Sequence, residues 1–256
     1  MKVFVIFFCL LFSFANSPLA DTQVQKKELA IVIDDLGNNM KGTEEILKLP
    51  ATLTVAIMPF LPTTVQDAEM AHKYGHEVII HLPMEPKRGK KSWLGPGAIT
   101  TDLSNEEIRR RVKAAIKDVP HAVGMNHHMG SKATEDERVM RIVLEVCREN
   151  GLYYLDSKTT GKSVIKKLAE EMNVPYLENN FFFDHVYTTQ HITKQASILS
   201  KKLVDHEQFI AIGHVGVTGI KVVNVLKQYI PVYKTNAKIV PLSELIPGFE
   251  LIDKGP

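Results

Sequence analysis

The sequence has few cysteines and little net charge. Its 256 residues include two cysteines, Cys9 and Cys147, and 31 basic against 29 acidic residues. Two cysteines exclude a disulfide-rich framework. A formal net charge of +2 provides little field for phosphate, which argues against nucleic acid as a partner and favours a neutral or mixed-charge one. Because 45% of the residues are hydrophobic, the chain can bury a core, and a disordered chain is excluded.

Several catalytic and nucleotide-binding motifs are also missing. The chain has no G-x-S-x-G turn for a serine nucleophile, and Cys147 falls inside a helical pattern. Neither G-x-G-x-x-G nor G-x-x-x-x-G-K-[ST] occurs, so we expect no nucleotide cofactor. Any catalytic chemistry would therefore have to use side chains other than a serine or cysteine nucleophile, without a nucleotide cofactor.

The longest apolar run is at the N-terminus, from Val3 to Phe14, after Lys2 and before small residues that end at Ala20. This layout predicts a secretory signal peptide over residues 1–20, followed by a polar tether over residues 21–27. The run is too short to cross a bilayer of about 30 Å, and an uncleaved anchor is the alternative. We expect an exported protein, periplasmic or secreted, with no stable membrane insertion after signal removal.

From residue 28 onward, short strands alternate with amphipathic helices. The predicted strands are residues 29–33, 52–57, 77–80, 122–125, 153–155 and 209–212, and the predicted helices are residues 42–49, 64–74, 105–117, 135–150, 163–172, 194–204 and 219–228. Capping boxes at Ser104-x-x-Glu107 and Thr134-x-x-Glu137 predict two helix starts. The alternation predicts an α/β fold with a parallel sheet, either a (β/α) barrel or an open doubly wound sheet. The longest irregular stretch, residues 86–101, holds the only tryptophan, Trp93.

Carboxylates and imidazoles follow five of the predicted strands. They are Asp34, Asp35, His81, His128, Asp156 and His214. In parallel α/β folds the C-terminal ends of the strands form the active site, so we expect these side chains to converge. One carboxylate and two imidazoles suit Zn²⁺ or another divalent ion, and a second carboxylate could act as a general base. Residues so far apart in sequence can meet only if residues 28–256 close as a single domain.

Five motifs resemble those of the divergent polysaccharide deacetylase family. They are Ile33-Asp34-Asp35-Leu36-Gly37, His81-Leu82-Pro83-Met84-Glu85-Pro86, Asn126-His127-His128-Met129-Gly130-Ser131, Asp156-Ser157 and Gly213-His214. The resemblance covers residues 28–245, in the family's order. It implies a distorted (β/α)7 barrel related to the metal-dependent carbohydrate esterases, which remove N- or O-acetyl groups from glycans.

The resemblance also implies a metal shell, with zinc as the expected ion. Asp34 would be the catalytic base, and Asp35 and His81 would be metal ligands. In the better-known relatives the second motif ends on another ligand histidine, but this sequence has Glu85 there. The third ligand is then either His128 or Glu85 itself, and we favour His128.

The remaining roles follow from the same resemblance. His128 falls on the family's histidine and His127 on an asparagine, and strand alternation separates the two side chains. We therefore expect His127, with Asn126, to be a supporting or substrate-facing residue. His214 would protonate the departing amine or alcohol. Asp156 and Asp184 would orient imidazoles, and the alternative for Asp184 is a helix cap or a turn.

The sequence therefore predicts a metal-dependent hydrolase that removes acetyl groups from an envelope or extracellular glycan. One alternative is a catalytically weak or inactive protein that binds a glycan or a partner through aromatic residues such as Trp93, Tyr153 and Tyr154. Another is a phosphoesterase that uses Lys132 and Lys158 as a phosphate clamp.

Overall fold

The computed structural model describes Met1 and residues 27–250. The predicted signal peptide beyond Met1 and the tether up to residue 26 lie outside the described residues, as do residues 251–256. None of the described helices is long and apolar enough to span a membrane.

The described residues form nine strands and seven α-helices. The strands are β1 (Glu28–Leu36), β2 (Thr54–Ile57), β3 (Glu77–Met84), β4 (Ala122–Met129), β5 (Tyr153–Asp156), β6 (Tyr176–Glu178), β7 (Phe181–Phe182), β8 (Gln208–His214) and β9 (Lys238–Ile239). The α-helices are α1 (Thr43–Leu47), α2 (Thr64–Lys73), α3 (Asn105–Asp118), α4 (Glu137–Glu149), α5 (Ile165–Met172), α6 (Thr189–Lys202) and α7 (Gly219–Asn236). Short 3₁₀ helices cover Lys91–Trp93, Ala133–Glu135 and Leu242–Leu245.

The strands are parallel and follow the order β6-β5-β4-β3-β2-β1-β8-β7, with β9 beside β1. The two ends of this order, β6 and β7, are joined by only Asn179 and Asn180. The Asn179 N–H donates to Asp156 O at 2.9 Å, and the Asn180 N–H donates to Ile210 O at 3.2 Å. Thus β6 and β7 act as one interrupted strand that connects β5 to β8. Seven strand positions result, which confirms the distorted (β/α)7 barrel and rules out the open doubly wound sheet.

Alternating side chains divide the core into two clusters. Leu29, Ile31 and Ile33 of β1 pack on the side of the helices. Ala30 and Val32 belong to a smaller cluster inside the barrel, which the 3₁₀ helix at Leu242–Leu245 also joins. Since side chains of a strand alternate between two faces, this parity fixes which residues of every strand point into the barrel.

Several predicted boundaries differ from the structure. The Ser104 hydroxyl caps α3 by accepting from the Glu107 N–H at 3.2 Å, as predicted. The predicted cap at Thr134 is wrong, because its hydroxyl donates to Gly130 O while Asp136 caps α4. Strands β3 and β4 extend four residues beyond their predicted ends, to Met84 and Met129. The sequence does not predict the strands β6, β7 and β9, because segments of two or three residues are too short to show an alternating hydrophobic pattern.

A close backbone contact joins the loop after β1 to the start of α7. A methyl group at Gly219 would overlap the carbonyl oxygen of Lys41, whereas Gly161 has no atom within 4 Å of such a methyl. We expect Gly219→Ala to destabilise the fold by about 2 kcal/mol, because backbone cannot yield as a side chain can. The melting temperature should fall by about 5 °C. Calorimetry of this variant and of Gly161→Ala, which should melt like the wild type, checks the contact.

Candidate functional site

Strand parity directs a polar set into the mouth of the barrel. Asp34 continues the interior row of Ala30 and Val32, and His81 continues that of Ile79. His214 follows Ile210 and Ile212 in the same way, and Asn126 lies within hydrogen-bond distance of Asp34. Asp34, His81 and Asn126 are buried, and His214 is partly exposed. The C-terminal end of the barrel therefore gathers acids and imidazoles from β1, β3, β4 and β8.

By strand alternation the Asp35 side chain should face the helices, but the backbone conformation at this residue redirects it toward the site. Its φ is 72°, in the left-handed region that residues other than glycine rarely adopt. The register of β1 against β2 also shifts between Ile33 and Leu36. This local irregularity turns the Asp35 carboxylate back toward the site, so two successive aspartates both reach it. A strained residue of this kind is commonly found at functional sites.

Asp35, His81 and His128 converge on one point. Asp35 Oδ1 lies 3.2 Å from His81 Nε2 and 2.9 Å from His128 Nδ1. Within residues 27–250 this trio is the only group of three or more His, Cys, Asp or Glu residues whose ligand atoms lie within 4.8 Å of one another. In tetrahedral zinc with bonds of about 2.0–2.1 Å, neighbouring ligand atoms are roughly 3.3 Å apart. The spacing of the two imidazoles from the carboxylate is close to that value.

The outer nitrogens of both imidazoles are occupied by fixed acceptors. His81 Nδ1 lies 2.7 Å from Asn126 Oδ1, which must accept because Asn126 Nδ2 donates to Asp34 Oδ1 at 2.9 Å. His128 Nε2 lies 3.2 Å from the carbonyl oxygen of Trp93, which can only accept. With the N–H groups on these outer nitrogens, His81 Nε2 and His128 Nδ1 are left to offer lone pairs to a cation beside the Asp35 carboxylate. This set of one carboxylate and two imidazoles therefore fits a divalent metal ion.

The two aspartates have pKa values that move in opposite directions. Burial raises the pKa of Asp34 above its ordinary value, although His81 and His214 oppose the shift. Burial also acts on Asp35, but its contacts with His128 and His81 hold its pKa well below the usual range. Asp35 thus stays an anionic ligand, while Asp34 is the better proton acceptor.

His214 is oriented by Asp184. Its Nδ1 lies 2.8 Å from Asp184 Oδ1, and Asp184 Oδ2 accepts from the His214 backbone N–H at 3.0 Å and from the Thr218 hydroxyl at 2.6 Å. Burial disfavours the charged ring, but the Asp184 carboxylate outweighs it and raises the pKa of His214 to about 10. The ring also stacks on Phe182, with centroids 6.1 Å apart. The arrangement holds a protonated imidazole with Nε2 free of the Asp184 contact.

Glu85, the open alternative for the metal shell, is engaged elsewhere. Its Oε2 accepts from the backbone N–H and the hydroxyl of Thr101, both at 2.8 Å, and its Oε1 lies 2.8 Å from Lys132 Nζ. Lys158, the other candidate for a phosphate clamp, pairs with Glu178 at 2.8 Å. The structure therefore places Glu85 at the base of the loop 86–101 and leaves neither lysine without a carboxylate partner.

Asp156 and His127 point to the helical side of the sheet. Tyr153 and Leu155 occupy the interior parity of β5, so Asp156 faces outward and its Oδ1 accepts from the Lys158 N–H at 2.7 Å. Asp156 Oδ1 lies 3.9 Å from His127 Nε2, too far for a hydrogen bond, so the expectation that Asp156 orients an imidazole stays a prediction without support from this geometry. His127 is 1% exposed, and burial together with His81 and His128 lowers its pKa to about 3. It is a neutral buried residue 3.2 Å from the Tyr154 hydroxyl, and the substrate-facing interpretation is wrong.

The aromatic residues proposed for glycan binding divide into two kinds. Tyr153 and Tyr154 are fully buried, so their assignment to a glycan surface is wrong. Trp93 is 57% exposed beside the site. Burial raises the pKa of the Cys147 thiol to about 12, which is consistent with its dismissal as a nucleophile.

Sequence reasoning missed two contributors to the site, the Thr218 hydroxyl and the carbonyl oxygen of Trp93. The first follows His214 by four residues at the start of α7, a spacing that could have suggested it. The second is a backbone atom of an irregular loop, for which the sequence carries no signal.

Two curated relatives cover most of the chain. An uncharacterized protein of Haemophilus influenzae is 35% identical over 217 residues, which make up 84% of this chain and 73% of that protein. The uncharacterized protein YibQ of Escherichia coli is 34% identical over 202 residues, 79% of this chain. The chain spans 63% of the length of the Escherichia coli protein.

Two solved structures share the fold. An uncharacterized protein of Agrobacterium tumefaciens superposes with a TM-score of 0.80 at 17% identity, covering 88% of this chain and 91% of that one. The chitin deacetylase of the fungus Colletotrichum lindemuthianum gives a TM-score of 0.51 at 14% identity, covering 88% and 89%. The sequence profile of the divergent polysaccharide deacetylases matches residues 31–246, from within β1 to just past the 3₁₀ helix at Leu242–Leu245. The chain therefore belongs to the divergent polysaccharide deacetylase family.

Proposed function

We propose that the protein is a metal-dependent hydrolase that removes acetyl groups from a glycan of the cell envelope or the extracellular space. The observation that carries the proposal is the convergence of Asp35 Oδ1, His81 Nε2 and His128 Nδ1 beside the buried Asp34. A ligand trio with a separate carboxylate next to it is the arrangement used for metal-assisted hydrolysis. Family membership supports a glycan as the substrate.

Asp35, His81 and His128 would hold the metal ion, most suitably zinc. The donor set of one carboxylate and two imidazoles leaves positions for water and substrate. A bound divalent ion supplies Lewis acidity, which makes water more acidic and polarises an acetyl carbonyl.

Asp34 takes the proton of the attacking water. Its carboxylate is 2% exposed, and Asn126 holds Oδ1 through the Nδ2 hydrogen bond of 2.9 Å. Burial raises the pKa of Asp34, which brings its basicity closer to that of a general base that works near neutral pH. Asn126 is a positioning residue, because it fixes both Asp34 and His81.

His214 donates a proton to the departing amine or alcohol. The Asp184 carboxylate fixes the ring through Nδ1, so Nε2 is the nitrogen that can reach the leaving group. Because the pKa of His214 is raised to about 10, the ring carries its proton at neutral pH and is ready to act as an acid. Asp34 and His214 therefore form a base and acid pair with separate tasks.

We further propose that the protein works outside the cytoplasm. The apolar run from Val3 to Phe14 after Lys2 is the feature that supports it. An acetylated envelope glycan would then be within its reach.

Acetate release tests the proposed activity. Purified protein is incubated with acetylated chitooligosaccharides, peptidoglycan and acetylated xylan, with and without the chelator dipicolinate. We expect release from at least one glycan, a loss of about 100-fold or more after chelation, and recovery on addition of Zn²⁺. Release that is unaffected by chelation contradicts metal dependence. Tight glycan binding without any release from the zinc-loaded protein favours the binding protein instead.

A further inference from the structure

The loop 86–101 carries a local excess of positive charge, although basic and acidic residues nearly balance over the whole chain. Lys87, Arg88, Lys90 and Lys91 fall within five positions, and the loop contains no acidic residue. Lys87 pairs with Glu135 at 2.7 Å. In the part of the chain that the structure describes, neither Arg88 nor Lys90 forms an ion pair with a carboxylate. At least two cations are therefore available to a ligand.

The backbone of the loop is anchored near both ends, and at its start the Lys87 N–H donates to Ser131 Oγ at 3.0 Å. Thr101 binds the Glu85 carboxylate, and Ile99 donates its N–H to Pro83 O at 2.8 Å. Arg111 donates to Ala98 O at 2.6 Å. The Phe60 ring covers Gly97 so closely that a methyl there would lie 2.6 Å from it. An anchored loop loses little conformational entropy when a ligand binds.

The tip of the loop touches the proposed metal shell. The carbonyl oxygen of Trp93 accepts from His128 Nε2, and the residue is 57% exposed. Lys90 Nζ lies 5.8 Å from the centroid of that ring. The exposed face of an indole can pack on the apolar face of a sugar ring while a neighbouring cation meets a charged substituent.

We propose that the loop 86–101 binds the acidic groups of an anionic polysaccharide, with Arg88 and Lys90 facing carboxylates and Trp93 stacking on a sugar ring. The inference rests on the proposed function, and it specifies its substrate class as an acidic glycan rather than a neutral one. A glycan chain fits these observations better than a lipid surface does, because the cations adjoin a single tryptophan at the mouth of the barrel and a polymer can reach both loop and metal shell.

Binding of two matched polymers tests the proposal. The probes are an acetylated polyuronate and the same polymer after reduction of its carboxyl groups, titrated into zinc-loaded full-length protein at 20 mM and 200 mM salt. We expect the polyuronate to bind at least about 10-fold more tightly at low salt, with a smaller difference at high salt. The double variant Arg88→Ala/Lys90→Ala should lose most of that preference, and Trp93→Ala should weaken the binding of both polymers.

The control variant removes two lysines elsewhere. Lys166→Ala/Lys202→Ala makes the same change of net charge at exposed positions on α5 and α6 and should keep the preference. The proposal is overturned if both polymers bind equally, if Arg88→Ala/Lys90→Ala retains the preference, or if anionic phospholipid vesicles bind through the loop and the polyuronate does not. Acetate release is measured on the same samples from the acetylated polyuronate and from its carboxyl-reduced form. Absence of release from both polymers with loop-dependent polyuronate binding contradicts the proposed hydrolase alone, while release without any preference for the polyuronate contradicts the acidic substrate alone.

Discussion

Asp34→Asn should lower the rate of acetate release by about 100-fold to 10,000-fold while the protein still binds its metal. An asparagine side chain is nearly isosteric with aspartate, but it cannot take a proton from water. The substitution leaves Asp35, His81 and His128 unchanged, so zinc content should stay at the wild-type level. A rate above half that of the wild type would show that Asp34 is not the base.

The pH dependence of the wild type adds a second test of Asp34. The base must be ionised, so the rate should fall as pH falls through the pKa of Asp34. Burial raises that pKa, and the acidic limb should therefore lie above the ordinary range of an aspartate. An acidic limb below pH 4 would contradict a buried aspartate as the base.

Asp184→Asn should move the alkaline limb of the pH profile downward by several units. The acid His214 must be protonated, so the rate falls as pH rises through its pKa, which Asp184 raises to about 10. Without the carboxylate, burial still lowers the pKa of the ring and only the charges of Asp35 and Asp34 oppose it, so the pKa should fall toward the ordinary value of about 6.5. At pH 8 the variant should lose about 10-fold or more of its rate, whereas near pH 5.5 the loss should be smaller.

Two further variants distinguish a changed protonation of His214 from a general loss of structure. His214→Ala should lower the rate by about 100-fold or more at every pH, with acidic leaving groups affected least. His206→Ala removes an exposed imidazole just before β8, at the opposite end of the strand, and should leave the profile unchanged. An Asp184→Asn profile of wild-type shape would show that Asp184 does not control the protonation of His214.

The barrel and its polar rim could be predicted from the sequence because both depend on long, repeated patterns. Strand runs that end on Asp34, His81 and His214 are visible as apolar stretches that stop at polar residues. Strand alternation could also have excluded one of the candidate site residues. Leu155 is inside the barrel, so Asp156 faces the helices, and counting by twos along β5 would have removed Asp156 from the site.

Other features of the site have no signature in the sequence. The left-handed backbone at Asp35 breaks the strand alternation at this one residue, and two consecutive aspartates in the sequence do not indicate such a conformation. The Trp93 carbonyl reaches His128 only because a 16-residue loop folds back over the barrel, and irregular loops lack a period. Glu85 shows the reverse case. Its position in a motif suggested a ligand, but Thr101 and Lys132 compete successfully for its oxygens.

Metal content is the most direct test of the central claim that Asp35, His81 and His128 form a metal site. The protein and its variants are loaded with Zn²⁺, dialysed and analysed by mass spectrometry for zinc per chain. The wild type and Glu85→Ala should each retain one zinc ion, whereas Asp35→Ala, His81→Ala and His128→Ala should retain little. Retention of zinc by His128→Ala together with its loss from Glu85→Ala would contradict the site described here.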